Sequence, residues 1–208
     1  GNAGGILINF DPKTGLSLSN HRVNAALINK IIEDIYNKDI LWLINFQGGL
    51  IKFSKTFGVI KQFMPIEGDE KSINDHTSFN GIQSEYGTIW IALYGGGLDH
   101  FNPETEVFTH YVNDTVDENS LNGNLLGFVH ESPKNTLWLL SPGFWMTKFE
   151  IEINKFTRYN IYNGNFPTNL PFKLVESDGI FWIGTADGQI IKFDPITEES
   201  KVYNSKDG

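Results

Sequence analysis

The chain has 208 residues, of which 40% are hydrophobic, 20% charged and 13% aromatic, the profile of a folded chain with an aromatic core. A formal charge of −9 with only two arginines, Arg22 and Arg158, argues against a nucleic-acid partner, which needs a basic face. The absence of cysteine excludes a disulfide scaffold and a zinc-thiolate site, and no apolar run approaches a bilayer-spanning length.

In chain order, strands are predicted first over Gly5–Phe10 and from Ser17 onward, separated by a turn at Asp11-Pro12. A repeating text then sets in. Trp42, Trp90, Trp138 and Trp182 stand 48, 48 and 44 residues apart. Phe10, Phe53, Phe101, Phe149 and Phe193 keep nearly the same step, at 43, 48, 48 and 44. Apolar triplets surround each Trp, and glycines follow as Gly48-Gly49, Gly95–Gly97, Gly143 and Gly188. A period in the forties calls for a repeat architecture before any other fold.

Each repeat reads as four short strands. In the second full repeat these are Phe79–Ser84, Thr88–Leu93, Leu98–Phe101 and Val107–Val112, punctuated by Gly87, the glycine triplet and Asn102-Pro103. Turns at Tyr36–Lys38, Pro133–Asn135 and Asp178-Gly179 divide the other repeats in the same way. Ala25–Ile35 is the best helix candidate, but in register it is the first strand of its repeat. Four antiparallel strands in about 45 residues make the blade of a β-propeller. The expected fold is therefore all-β, a β-propeller segment of four-stranded antiparallel blades. A half-blade at 1–22 precedes blades at about 23–66, 72–114, 122–162 and 169–208, four and a half in all. Because a propeller closes on a whole number of blades, the chain is expected to be part of a larger one. The remaining blades of that parent chain are its first expected partners. Unpaired blade surface at both ends also predicts self-association.

Several propeller signatures are absent. The glycine pairs follow the tryptophans, the reverse of the kelch order, and no Trp precedes an Asp as in WD40 repeats. What recurs instead is Ile31-Ile32-Glu33-Asp34, Leu41-Trp42-Leu43 and Gly48-Gly49-Leu50. The next repeat has Ile89-Trp90-Ile91, Gly96-Gly97-Leu98 with Phe101, and Phe108-x-x-Tyr111. Phe156-x-x-Tyr159 and Trp182-Ile183-Gly184-Thr185 continue the pattern. Over its whole length the chain thus resembles the two-component regulator propeller repeat. The third blade departs, with Leu140-Ser141-Pro142-Gly143-Phe144-Trp145 where the pattern has Ile-Gly-Thr and Gly-Gly-Leu. The resemblance implies the periplasmic sensor region of a hybrid two-component system, where propellers precede a membrane span and a histidine kinase. It implies an oligosaccharide ligand, no cofactor, no membrane contact by this segment and no phosphate transfer within it.

Repetition also separates scaffold from site. The four tryptophans, and the Phe that ends the third strand of each blade, recur and are expected to pack between blades. Glu33, Asp34, Glu85, Glu131, Glu176 and Asp178 could suggest a glycosidase pair, but an acid near the end of every first strand favours a turn role. The histidines at 21, 76, 100, 110 and 130 lack metal-ligand spacing and are expected at solvated or hydrogen-bonded strand positions. No metal site and no catalytic motif is expected. The departures are the candidates. Second-to-third-strand connections carry Phe46-Gln47, Tyr94, Phe144-Trp145 and, in the last blade, Asp187. Fourth-to-first-strand connections, at Asp69–His76, Asp114–Asn122 and Tyr162–Asn169, are rich in Asn, Asp and Ser and share that face. Aromatic rings bordered by amides and acids suit a sugar, and the acidic balance favours a neutral oligosaccharide. A protein-interaction platform and part of a carbohydrate-active enzyme are the alternatives.

Overall fold

The computed structural model describes residues 4–23, 27–141, 145–159 and 171–205. They form two compact units, Gly1–His110 and Tyr111–Gly208. In the first, β1 (Ile6–Phe10) and β2 (Ser17–Arg22) make a two-stranded sheet. Two four-stranded antiparallel meanders follow it. The first is β3 (Leu27–Glu33), β4 (Ile40–Phe46), β5 (Leu50–Ser54) and β6 (Gly58–Phe63). The next is β7 (Ser78–Gln83), β8 (Ile89–Leu93), β9 (Gly97–Asn102) and β10 (Val107–Tyr111). The third meander is β11 (Phe128–Glu131), β12 (Thr136–Ser141), β13 (Trp145–Glu150) and β14 (Lys155–Tyr159). The last is β15 (Pro171–Ser177), β16 (Ile180–Thr185), β17 (Ile190–Phe193) and β18 (Ser200–Tyr203). These sheets are β-propeller blades. The one helical element among the described residues is a 3₁₀ turn, Ile151–Ile153, and no helix is long and apolar enough to cross a membrane.

The second strand of each blade is its most apolar run. All of β8 and all of β12 is buried. In the first unit, Trp42, Ile44 and Phe63 of one blade share a core with Ile89, Ile91, Phe101 and Phe108 of the next. Trp42 meets the Phe101 ring edge-on at 5.5 Å. In the second unit, Trp138 does the same with Phe181 at 5.2 Å and Phe193 at 5.6 Å. Burying one such ring removes about 150–250 Å² from water, worth roughly 4–6 kcal/mol before ordering costs.

A lysine on the paired strand accompanies three of the four recurring tryptophans. The Lys52, Lys148 and Lys192 ammonium groups lie 5.5, 5.9 and 6.0 Å from the Trp42, Trp138 and Trp182 ring centres. In the second full blade the partner is His100, stacked on Trp90 at 4.0 Å, and burial pushes its imidazole pKa down. Two expected packing residues depart. Trp182 is 39% exposed and lies 6.1 Å from the Tyr203 ring of its own blade, and Phe10 is 56% exposed while its four counterparts are buried. Phe10 lies in a sheet of two strands, whereas its counterparts lie in sheets of four.

Candidate functional site

The expected face is best described in the first unit. Phe46 ends β4, and Gln47 enters the turn with a left-handed φ of 57° that lets Gly48-Gly49 reverse the chain. Tyr94 follows β8 before its own glycine turn. The two blades meet through a residue absent from the sequence expectation: Phe79 lies 6.0 Å from the Phe46 ring and 5.2 Å from Tyr94. Phe79 sits at a bulge in β7, between Ser78 and Asn80, which no simple strand alternation reveals. The outcome is a continuous row, Phe46–Phe79–Tyr94, with Gln47, His76 and Tyr94 exposed.

The connection from β6 to β7 braces that row. The Gly49 N–H donates to the His76 carbonyl at 2.9 Å, and the Tyr94 N–H donates to the Thr77 carbonyl at 2.9 Å. The Asn74 amide donates to the Gly96 carbonyl at 2.8 Å. Beneath lies a buried pair. Asp99 is wholly buried, accepts the Asn74 N–H at 2.9 Å, and contacts His110 Nδ1 at 2.6 Å. His110 Nε2 faces the Glu70 carbonyl at 2.8 Å. Both ring nitrogens therefore face oxygens, an arrangement that favours the imidazolium. Burial pushes the Asp99 carboxyl up against the pull of His110, and the Asp99 hydrogen bond holds His110 above the usual histidine range. A cleft of about 490 Å³, lined by Pro65, Glu70, Asn74 and His110, opens beside this pair.

Much of the polarity in these connections serves the loops themselves. Ser72 Oγ accepts the Ile66 N–H at 3.0 Å and donates to the Asp69 carbonyl at 2.9 Å. In the second unit, Ser120 Oγ accepts the Asp114 N–H at 2.9 Å and donates to the Asp117 carbonyl at 2.8 Å. Arg158 stands 48 residues after His110 and likewise ties its loop, donating to the carbonyls of Ser120 and Asp117 at 3.0 and 2.9 Å.

In the second unit Asp187 is exposed at the tip of the β16–β17 turn, where its carboxylate accepts the Thr185 hydroxyl. Trp145 is described as the first residue of β13, opposite Ser141. Phe144 and the 162–169 connection lie outside the described residues.

The recurring acids have structural partners. Asp34 Oδ1 accepts the N–H groups of Tyr36 and Asn37 at 3.0 and 2.9 Å, as a turn residue would. Its Oδ2 accepts Trp42 Nε1 and Gln83 Nε2, both at 2.9 Å. Burial pushes the Asp34 carboxyl up, but these four donors outweigh it and hold the pKa low. Glu131 accepts the Asn135 N–H at 3.0 Å, and Glu33 pairs with Lys38 and Lys55. Glu176 binds His130 and Ser132 across two blades, each at 2.9 Å. Among the described residues, no group of three His, Asp or Glu could hold a metal ion.

No protein-family model and no curated protein sequence matches the chain. Solved structures do. The extracellular domain described as that of hybrid two component system BT3049 from B. thetaiotaomicron superposes with a TM-score of 0.77 at 23% identity, over 88% of this chain and 25% of its own. That of BT4673 from B. thetaiotaomicron gives 0.73 at 17% identity, over 99% of this chain and 28% of its own. BamB from Moraxella catarrhalis gives 0.62 at 13% identity, over 96% and 55%. The chain thus spans about a quarter of the sensor domains it resembles. The likeness to proteins as different as a sensor and BamB is one of fold, which many functions share.

Proposed function

We propose that the chain is a non-catalytic, ligand-sensing propeller segment of an extracytoplasmic two-component sensor, and that its ligand is an oligosaccharide. The observation that carries this reading is the aromatic row Phe46–Phe79–Tyr94, half-buried at its two phenylalanines and exposed at Tyr94, with the exposed Gln47 at its end. Ring faces stack on the C–H faces of pyranoses, while Gln47 and the neighbouring backbone pair with hydroxyls. Likeness in fold to the extracellular sensor domains supports an extracytoplasmic role, and the recurring repeat text agrees with it. Sensing would be mechanical. A ligand that binds one arrangement of sensor domains better than another shifts their populations towards the membrane-proximal signal. Trp145, Phe144 and Asp187 remain in this proposal as contributions from the later blades.

Calorimetric titration with a panel of neutral oligosaccharides tests it. One member binds, and Tyr94→Ala and Trp145→Ala each weaken that binding at least tenfold, about 1.4 kcal/mol, with little change in melting temperature. Capture of a protein partner without any glycan binding would instead make the row an interface anchor. Glycan hydrolysis would overturn the non-catalytic reading.

A further inference from the structure

The opposite edge of the first two full blades holds a separate cleft. It lies where the β3–β4 and β7–β8 turns approach the β9–β10 turn, and its volume is about 250 Å³. Tyr36 and Tyr86 line it from those two turns and are 74% and 61% exposed. Ile40 and the buried Trp42 supply further apolar lining, and Asn37, Asn102, Glu104 and Lys52 supply polar groups.

Repetition argues for function here. Trp42 and its lysine recur in other blades and are scaffold. The turn tyrosines do not recur, since the corresponding turns of the later blades read Ser132-Pro133-Lys134-Asn135 and Ser177-Asp178-Gly179. Nor does core packing explain them, because both remain mostly exposed.

The cleft is also built. Gly87 adopts φ +83°, and a Cβ there would stand 2.5 Å from the Tyr36 ring, so only glycine lets that ring lie against the neighbouring turn. The Tyr36 hydroxyl donates to the Glu85 carbonyl at 3.3 Å, and the Ile35 N–H donates to Gln83 Oε1 at 3.0 Å. Both bonds tie one blade's turn to the next. Asp34 spends its oxygens on four donors and so fixes the turn rather than facing a ligand. Asn37 Oδ1 accepts the Asp39 N–H at 3.0 Å, and Asn102 Oδ1 accepts the Glu104 N–H at 2.9 Å. Each amide therefore keeps its NH₂ group as donor, and Glu104 supplies an acceptor.

We propose that this cleft is a second ligand site, distinct from the Phe46–Tyr94 row, and that it takes a single neutral pyranose ring. The volume lies below the roughly 300–1,000 Å³ of drug-sized pockets, which fits one ring rather than a chain. Two aromatic walls match the ring's C–H faces, and amide donors beside a carboxylate match hydroxyls that donate and accept. Acids and Lys52 are both present, so the lining favours neither an anion nor a cation.

Saturation-transfer NMR on the 208-residue chain, with the methyl pyranosides of glucose, galactose, mannose and xylose as probes, tests the proposal. At least one probe receives transfer. Tyr36→Ala and Tyr86→Ala each weaken its binding at least tenfold, Tyr36→Phe keeps it within a few-fold, and Tyr94→Ala leaves it unchanged. Melting curves confirm that each variant is folded. Absence of transfer to all four probes overturns the site, as does transfer lost in Tyr94→Ala but kept in Tyr86→Ala. The two readings fail separately, because oligosaccharide binding that depends on Tyr94 alone leaves the sensor proposal standing and removes this one.

Discussion

Trp42 and Trp182 occupy the same position in their blades, each flanked by apolar residues and faced by a lysine on the next strand. Trp42 is 1% exposed and Trp182 is 39% exposed. Their own sheets do not account for the difference. Phe101 and Ile89 of the next blade share a core with Trp42, whereas Trp182 lies beside Tyr203 of its own blade. Burial along the second strand reads the same way. The two central runs β8 and β12 are buried at every residue, while in β16 Phe181 and Ile183 are buried and Trp182 is not. A propeller blade is thus a half-finished core, and its stability resides in the neighbour that covers it.

The largest test of that comparison is truncation. Trp42→Ala should destabilise the first unit by about 3–5 kcal/mol, because it opens a cavity and removes one of the two donors to Asp34 Oδ2. Trp182→Ala should cost about 1–2 kcal/mol. Denaturant melts of the two variants decide it, and equal losses would mean that the outer face of β16 is covered in solution.

Glycines give a second contrast at equivalent turns. Gly49 and Gly188 both have positive φ, at 62° and 83°. A Cβ at Gly49 would stand 2.1 Å from the Phe63 carbonyl oxygen, whereas one at Gly188 would meet nothing within 4 Å. Gly188→Ala should therefore cost only the left-handed strain, about 1–2 kcal/mol. Gly49→Ala should cost about 2 kcal/mol more, since backbone must move. Thermal melts compare the two, and similar losses would show that the β4–β5 turn is softer than its packing implies.

The smallest effect separates His110 from Arg158, two cations that tie equivalent loops. His110 is held above its unfolded value by Asp99, so its contribution is fully present below about pH 6.5 and is lost as pH rises through the raised folded value. The equivalent loop of the second unit is tied by the Arg158 guanidinium instead. Stability of the first unit should thus decline as pH rises from about 6.5. His110→Gln should remove that slope, and an unchanged slope in the variant would assign it elsewhere.

The architecture was largely legible. The Trp and Phe spacings point to a repeat of four-stranded units, and the described residues form four four-stranded antiparallel sheets and one two-stranded sheet. Ala25–Ile35 was rightly read as strand material over Leu27–Glu33, because its register in the repeat outweighed its local helical pattern. The sites were less legible. Phe46 and Tyr94 stand out as candidates because they break the repeat, but Phe79, which joins them, lies in a strand that looks ordinary. The Asn, Asp and Ser of the long connections suggested a sugar rim. Several of them instead satisfy the loops' own backbone, a choice that composition cannot show. The tyrosine cleft was missed because its walls come from turns 50 residues apart, at Tyr36 and Tyr86.

The sequence alone determined the period, the four-stranded unit and the residues that every blade must reuse, because those follow from local patterning repeated in register. The tertiary structure decided which of those residues are buried, which rings meet, and which edge carries a cleft. Blade-to-blade contact sets these, and it joins residues nearly fifty positions apart. A tryptophan in such a chain is core or surface according to whether another sheet arrives to cover it.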